Sequence, residues 1–139
     1  MSGFSLHPRL AADTFPLTEF PLCHVRLMND ATYPWLILVP ARPELAEIID
    51  LDVAQQSVLI SEIDAAARSL RQVTGSDKLN VAALGNEVRQ LHIHVIARFV
   101  GDPAWPKPVW GAVPARPYEI KAKDTLIRRL EDAFAAASA

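Results

Sequence analysis

The sequence predicts an α+β fold, an antiparallel sheet with its helices gathered on one side. Two patterns and their order carry that expectation. Residues Gln90 to Phe99 alternate between Leu91, Ile93, Val95, Ala97 and Phe99 on one face and Gln90, His92, His94, Ile96 and Arg98 on the other. That is the period of a strand with one packed face. Ile60, Ile63, Ala67 and Leu70 recur at three- and four-residue spacing, the period of an amphipathic helix. The order runs strand, strand, long helix, strand, turn, strand, irregular arm, helix, so two strand pairs share their helices.

Each element has a local cause. The first twenty residues are ambiguous, with one helical turn expected near Leu6 to Ala12. Leu22 to Met28 suits a strand, and Asn29 to Pro34 a turn. Trp35-Leu36-Ile37-Leu38-Val39 is a continuous apolar run, the pattern of a strand covered on both faces. Asp52 followed by Gln55 resembles a capping box opening the long helix, and Gly75 suits its end. Leu79 to Leu84 is a second apolar run, followed by a Gly85-Asn86 turn. Pro103, Pro106, Pro108, Pro114 and Pro117 make residues 101–117 neither helix nor central strand. Leu126, Ile127, Leu130 and Phe134 form the stripe of a last helix over about 122–137.

A chain of 139 residues is one ordinary domain, 1–139, with its core over about 20–100. Hydrophobic residues make up 50% and charged residues 22%, which excludes a disordered tail. The formal net charge of −2 leaves no basic excess to neutralise a nucleic-acid backbone. The longest apolar run is far too short for a membrane span, and no signal-peptide pattern is visible. Cys23 is the single cysteine, without an internal disulfide partner and read as a small buried apolar group. A cytoplasmic protein that binds neither nucleic acid nor membrane is expected.

Chemistry concentrates at Gln90, His92 and His94. At two-residue spacing on a strand their side chains leave one face, about 6.6 Å apart per step. Three readings are open. The two histidines are idle solvent-facing side chains. Or they are two ligands of a metal site, for which His7, His24 and Glu87 are the available third ligands and which Arg98 disfavours. Or one is a nucleophile towards phosphorus, needing one free ring nitrogen and an acceptor that fixes the other as a donor.

The run Gln90-Leu91-His92-Ile93-His94-Val95-Ile96 resembles the signature of the histidine triad (HIT) superfamily, in which three histidines alternate with apolar residues. Met28-Asn29-Asp30 and Trp35 to Pro40 resemble the family's first strand pair, and the likeness covers about 20–100. The resemblance implies an antiparallel sheet of about five strands and a homodimer. It implies a nucleotide substrate, a phosphoramidate or dinucleoside polyphosphate, cleaved or transferred at its α-phosphate. On that pattern His92 is the nucleophile, His94 contacts the phosphate, Asn29 holds the ribose, and Asn86, with Glu87 beside it, is the phosphate-side amide. No cofactor is required for the covalent step, and no metal site is implied. Magnesium enters only with a polyphosphate substrate.

The departure is Gln90 at the first triad position, since glutamine cannot titrate. It leaves the nucleophile intact, and with His94 it is expected to hold the phosphate oxygens and the leaving group, but it puts proton handling in question. A nucleotide-binding or regulatory module with weak catalysis is therefore the alternative. Arg98 shares the histidine face, within reach of a phosphate or of a salt bridge. Trp105 and Trp110 pin the proline-rich arm, or else close the pocket. His24 is structural or exposed.

Overall fold

A computed structural model describes residues 3–138. A short helix α1 (Pro8–Asp13) leads into β1 (Thr14–Glu19), β2 (Cys23–Met28) and β3 (Trp35–Pro40). A 3-10 turn at Ile48–Asp50 precedes the long helix α2 (Val53–Thr74); β4 (Lys78–Ala82), β5 (Ile93–Arg98) and α3 (Ile120–Ser138) follow. The five strands form one sheet in the order β1-β2-β3-β5-β4, every neighbouring pair antiparallel. The α+β architecture expected from the sequence is the one observed.

The strand β1 lies in the stretch whose pattern was ambiguous. Pro16 interrupts its alternation, and the pairing with β2 shifts register between Pro16 and Thr18. Proline is tolerated there because β1 is an edge strand. Helix α2 starts and stops as expected. The Asp52 carboxylate accepts the backbone N–H of Gln55 at 2.8 Å, and Gly75 closes the helix at φ 68°.

Its buried stripe is rotated from the predicted one. Leu59, Glu62, Ala66, Ser69 and Leu70 are buried, whereas Ile60 is 64% exposed. Glu62 takes a core position because its carboxylate accepts the N–H groups of Leu22 and Cys23, both at 2.8 Å. Those two donors sit where the chain enters β2 and would otherwise be buried without partners. Cys23 packs beside that carboxylate with no exposed surface, and burial pushes its thiol far up.

Two apolar layers flank the sheet. Helices α2 and α3 cover Leu36, Leu38, Ile93, Val95 and Ala97. The opposite face, with Ile37, Val39 and Ile96, is covered by Leu10 from α1 and by Ala104 and Val109 from the arm. That second cover changes the setting of the histidines. They were expected on a half-exposed face, but His92 and His94 are both buried. The arm is irregular, as its prolines predict, yet it is a wall of the core.

Candidate functional site

Strand β5 begins at Ile93, so Gln90 and His92 lie just before the ladder rather than within it, as the alternation suggested. Leu91 donates its N–H to Leu45 O at 2.9 Å, which holds this approach extended. His92 and His94 are 7% and 5% exposed. Their rings stand edge to face with centroids 5.0 Å apart. Both line a cleft of about 340 Å³.

The partners of the two rings fix opposite tautomers. His92 Nδ1 lies 2.7 Å from the carbonyl of Gln90. A carbonyl only accepts, so that nitrogen carries the proton and Nε2 keeps a lone pair. His94 Nδ1 lies 3.1 Å from the indole Nε1 of Trp35. Indole only donates, so His94 Nδ1 is the acceptor and its Nε2 carries the proton. Burial and the neighbouring His92 hold the His94 pKa down at about 4. His94 is therefore a neutral donor at neutral pH. Trp110 from the arm meets His94 edge to face at 5.0 Å and Trp35 at 5.8 Å, completing an aromatic surround.

The other expected site residues divide. Asn86 and Glu87 line the same cleft, on a loop that Gly85 enters at φ 72°. A Cβ at Gly85 would stand 3.5 Å from Val88 O in a conformation side chains rarely adopt. Asn29 is not a lining residue. Its side-chain oxygen accepts the N–H of Tyr118 at 2.9 Å and anchors the end of the arm.

Arg98 and Gln90 depart furthest from their expected roles. Arg98 is 1% exposed, bonded through Nε and Nη2 to Asp102 at 2.8 and 3.0 Å, and through Nη1 to Asn80 at 2.8 Å. Its guanidinium is held between Tyr33 and Trp105, so it is a buried structural cation rather than a phosphate ligand. The Gln90 side chain binds Ser5 and His7 of the N-terminal segment, and only its carbonyl meets His92. The remaining histidines are elsewhere: His7 caps α1, and His24 pairs with Glu19 at 3.3 Å. Among the described residues no three His, Cys, Asp or Glu side chains gather to hold a metal.

Two contributors carried no chemical signal in the sequence. Trp35 reads as one more apolar strand residue, although a buried indole N–H needs an acceptor. Arg9 comes from the ambiguous N-terminal stretch and lines the cleft, its Nη1 3.2 Å from Glu87.

A HIT domain model matches residues 9–101, and the chain belongs to the HIT family. A histidine triad protein from Bradyrhizobium japonicum is 48% identical, with a TM-score of 0.93 over 94% of this chain and 98% of that one. One from Marinobacter aquaeolei is 48% identical, with a TM-score of 0.92 over 96% and 97%. One from Sinorhizobium meliloti is 45% identical, with a TM-score of 0.92 over 94% and 97%. Among curated proteins, no relative matches the chain. No helix among the described residues is long and apolar enough to cross a membrane.

Proposed function

We propose that this protein is a nucleotide hydrolase or nucleotidyl transferase acting at the α-phosphate of a nucleoside phosphoramidate or dinucleoside polyphosphate. The observation that carries the reading is the tautomer pair: one buried imidazole with a lone pair at Nε2, beside a neutral one with a proton at Nε2.

His92 Nε2 attacks the α-phosphorus. A P–N bond forms as the bond to the leaving group breaks; the leaving group departs with that bond's electron pair and, where it is an amine, with a proton taken from solvent. His94 Nε2–H donates to a phosphate oxygen on which charge builds. Asn86 is the nearby amide for a second oxygen. A water, or an acceptor alcohol or amine, then attacks phosphorus and loses a proton to solvent. The P–N bond breaks and His92 regains its lone pair. No metal is needed for either step, although a polyphosphate substrate carries magnesium with it.

The Gln90 carbonyl has two effects on the nucleophile. It orients the ring, and it stabilises the positive charge that His92 acquires on bonding to phosphorus. The Gln90 amide takes no part in these steps. That leaves no third titratable group in the triad, and it is what favours the alternative of a binding module with weak catalysis. The reading also takes the protein to be a cytoplasmic homodimer joined through the open edge of β4, where Val81 is 50% exposed.

Intact mass after brief exposure to adenosine phosphoramidate and diadenosine tetraphosphate tests the mechanism. A nucleotidyl adduct is expected on the wild type and none on His92→Ala, whose turnover falls at least about 1000-fold while its melting temperature is kept. Bound nucleotide with neither adduct nor product over hours would establish the binding module instead.

A further inference from the structure

Gln90 joins two parts of the chain far apart in sequence. Its Oε1 accepts the N–H of His7 and its Nε2 donates to the carbonyl of Ser5, both at 2.9 Å. Each half of the amide is satisfied by main chain, as a short strand pairing would do. His7 passes the constraint on, since its Nδ1 accepts the N–H of Arg9 at 3.0 Å and caps α1. Leu10 then inserts into the sheet-face core at 4% exposure. Arg9 is left on the cleft wall, its guanidinium 3.2 Å from Glu87 and 3.8 Å from Asp13. Among the described residues, Arg9, Asp13 and Glu87 are the charged side chains of the lining, with Arg9 the one cation of the three.

We propose that Gln90 is a positioning residue that latches the N-terminal segment, and that Arg9, so delivered, binds an anionic oxygen of the substrate. The substrate class is a nucleotide whose leaving portion carries its own negative charge, a phosphate or carboxylate beyond the α-phosphate. The second half rests on the proposed function; the latch does not.

The geometry gives this wall a distinct task. The Gln90 main chain holds the nucleophile while its side chain holds the segment that carries Arg9, so one residue ties both to the same cleft. Arg9 has an exposed partner in Glu87 at 79% side-chain exposure, a weak hold that an incoming phosphate displaces. A phosphate accepts a paired fork of N–H donors as well as a carboxylate does.

Steady-state kinetics of Gln90→Ala, Arg9→Ala and the double variant on diadenosine tetraphosphate and adenosine phosphoramidate are the test. Each single variant is expected to raise KM for the tetraphosphate roughly tenfold with kcat within about twofold, since a charge-assisted bond is lost without loss of the nucleophile. The phosphoramidate, whose leaving group lacks the extra charge, moves little. The double variant is expected to be no worse than the worse single variant, because Gln90 acts through Arg9. Gln90→Glu keeps the acceptor for His7 and loses the donor to Ser5, and falls between. A fall in kcat for both substrates, or additive losses, would overturn the proposal.

Amide hydrogen exchange keeps the two halves distinguishable. Protection over residues 3–13 is expected to drop in Gln90→Ala and not in Arg9→Ala. If it is unchanged in Gln90→Ala, the latch is wrong whatever the activity. If it drops while the wild type cleaves neither substrate, the latch stands and the functional reading with its Arg9 contact is wrong.

Discussion

One face of β5 buries two basic side chains four residues apart, and the protein treats them in opposite ways. Arg98, at the C-terminal end, meets a carboxylate. Asp102 binds it through two oxygens, Asn80 takes a further N–H, and the rings of Tyr33 and Trp105 lie 5.7 and 5.6 Å from the guanidinium. The pairing raises the Arg98 pKa and holds the Asp102 carboxyl down at about 2. His94, at the other end, meets an indole donor and a second imidazole, and it stays neutral. Burial is near complete at both, 1% and 5%. Burial therefore does not separate the charged group from the neutral one on this strand. The partner does: the arginine has acceptors for its charge, while the histidines keep ring nitrogens for something outside the chain.

Removing a partner at the structural end sharpens the contrast most. Asp102→Ala strands a buried guanidinium and also frees the N–H groups of Phe99 and Ala104, which the same carboxylate accepts, while Trp105 N–H keeps the main-chain carbonyl of residue 102. The expected cost is about 3–5 kcal/mol by urea denaturation. Replacing the pair together, Arg98→Met with Asp102→Leu, is expected to cost less than Asp102→Ala alone. A double variant as unstable as the single one would mean that the loop bonds, not the stranded charge, dominate.

This end also marks where sequence legibility stops. The alternation that assigned Leu91, Ile93, Val95 and Ala97 to the helix-covered face was sufficient, because period-two patterning fixes the face outright. It could not say what covers the other face. The cover is an arm without periodicity, and its docking depends on long-range bonds such as Tyr118 N–H to Asn29. Hence the sequence left Arg98 open between a phosphate and a salt bridge, and only the docked arm, with Asp102 on it, decides for the salt bridge. The positions of His92 and His94 in the cleft were legible from spacing and type. Their tautomers were not, since those depend on a main-chain carbonyl and on Trp35, a neighbour across the β3–β5 ladder. Glu62 was hidden for a related reason: its partners are backbone N–H groups about forty residues away, and backbone leaves no trace in residue types.

Acid titration reads the two ends separately, with the same sign. His94 has its pKa lowered from 6.5 to about 4 in the folded protein. Between those values the unfolded chain binds a proton that the folded one does not, so stability falls as the pH drops from 6.5 towards 4. The full window is worth roughly 3 kcal/mol. Asp102 is lowered from 3.8 to about 2. Its contribution is present above 3.8 and is lost as the pH falls towards 2, worth roughly 2 kcal/mol. Urea midpoints across pH 7 to 4.5 are expected to slope in the wild type and to flatten in His94→Gln. Equal slopes in both would mean that His94 does not stay neutral in the fold.

The smallest effect falls on the contact that makes His94 a donor. Trp35→Phe keeps most of the ring packing against His94 and Trp110 and removes the single N–H that points at His94 Nδ1. Two consequences follow from that one atom. The neutral form loses the bond that favoured it, so the pKa of His94 climbs towards 6.5, and the pH window over which stability falls narrows from its acid end. The tautomer is also released. His94 then spends part of its time with the proton on Nδ1 and no donor at Nε2, where the proposed contact with a phosphate oxygen needs one. The expected loss in kcat/KM is roughly tenfold, about the worth of one positioned hydrogen bond in a dry site, carried by kcat rather than KM if His94 acts mainly on the transition state. An unchanged kcat together with an unchanged stability slope would mean that ring packing alone orients His94, and the reactive end of β5 would then be held by shape, as the structural end is held by charge.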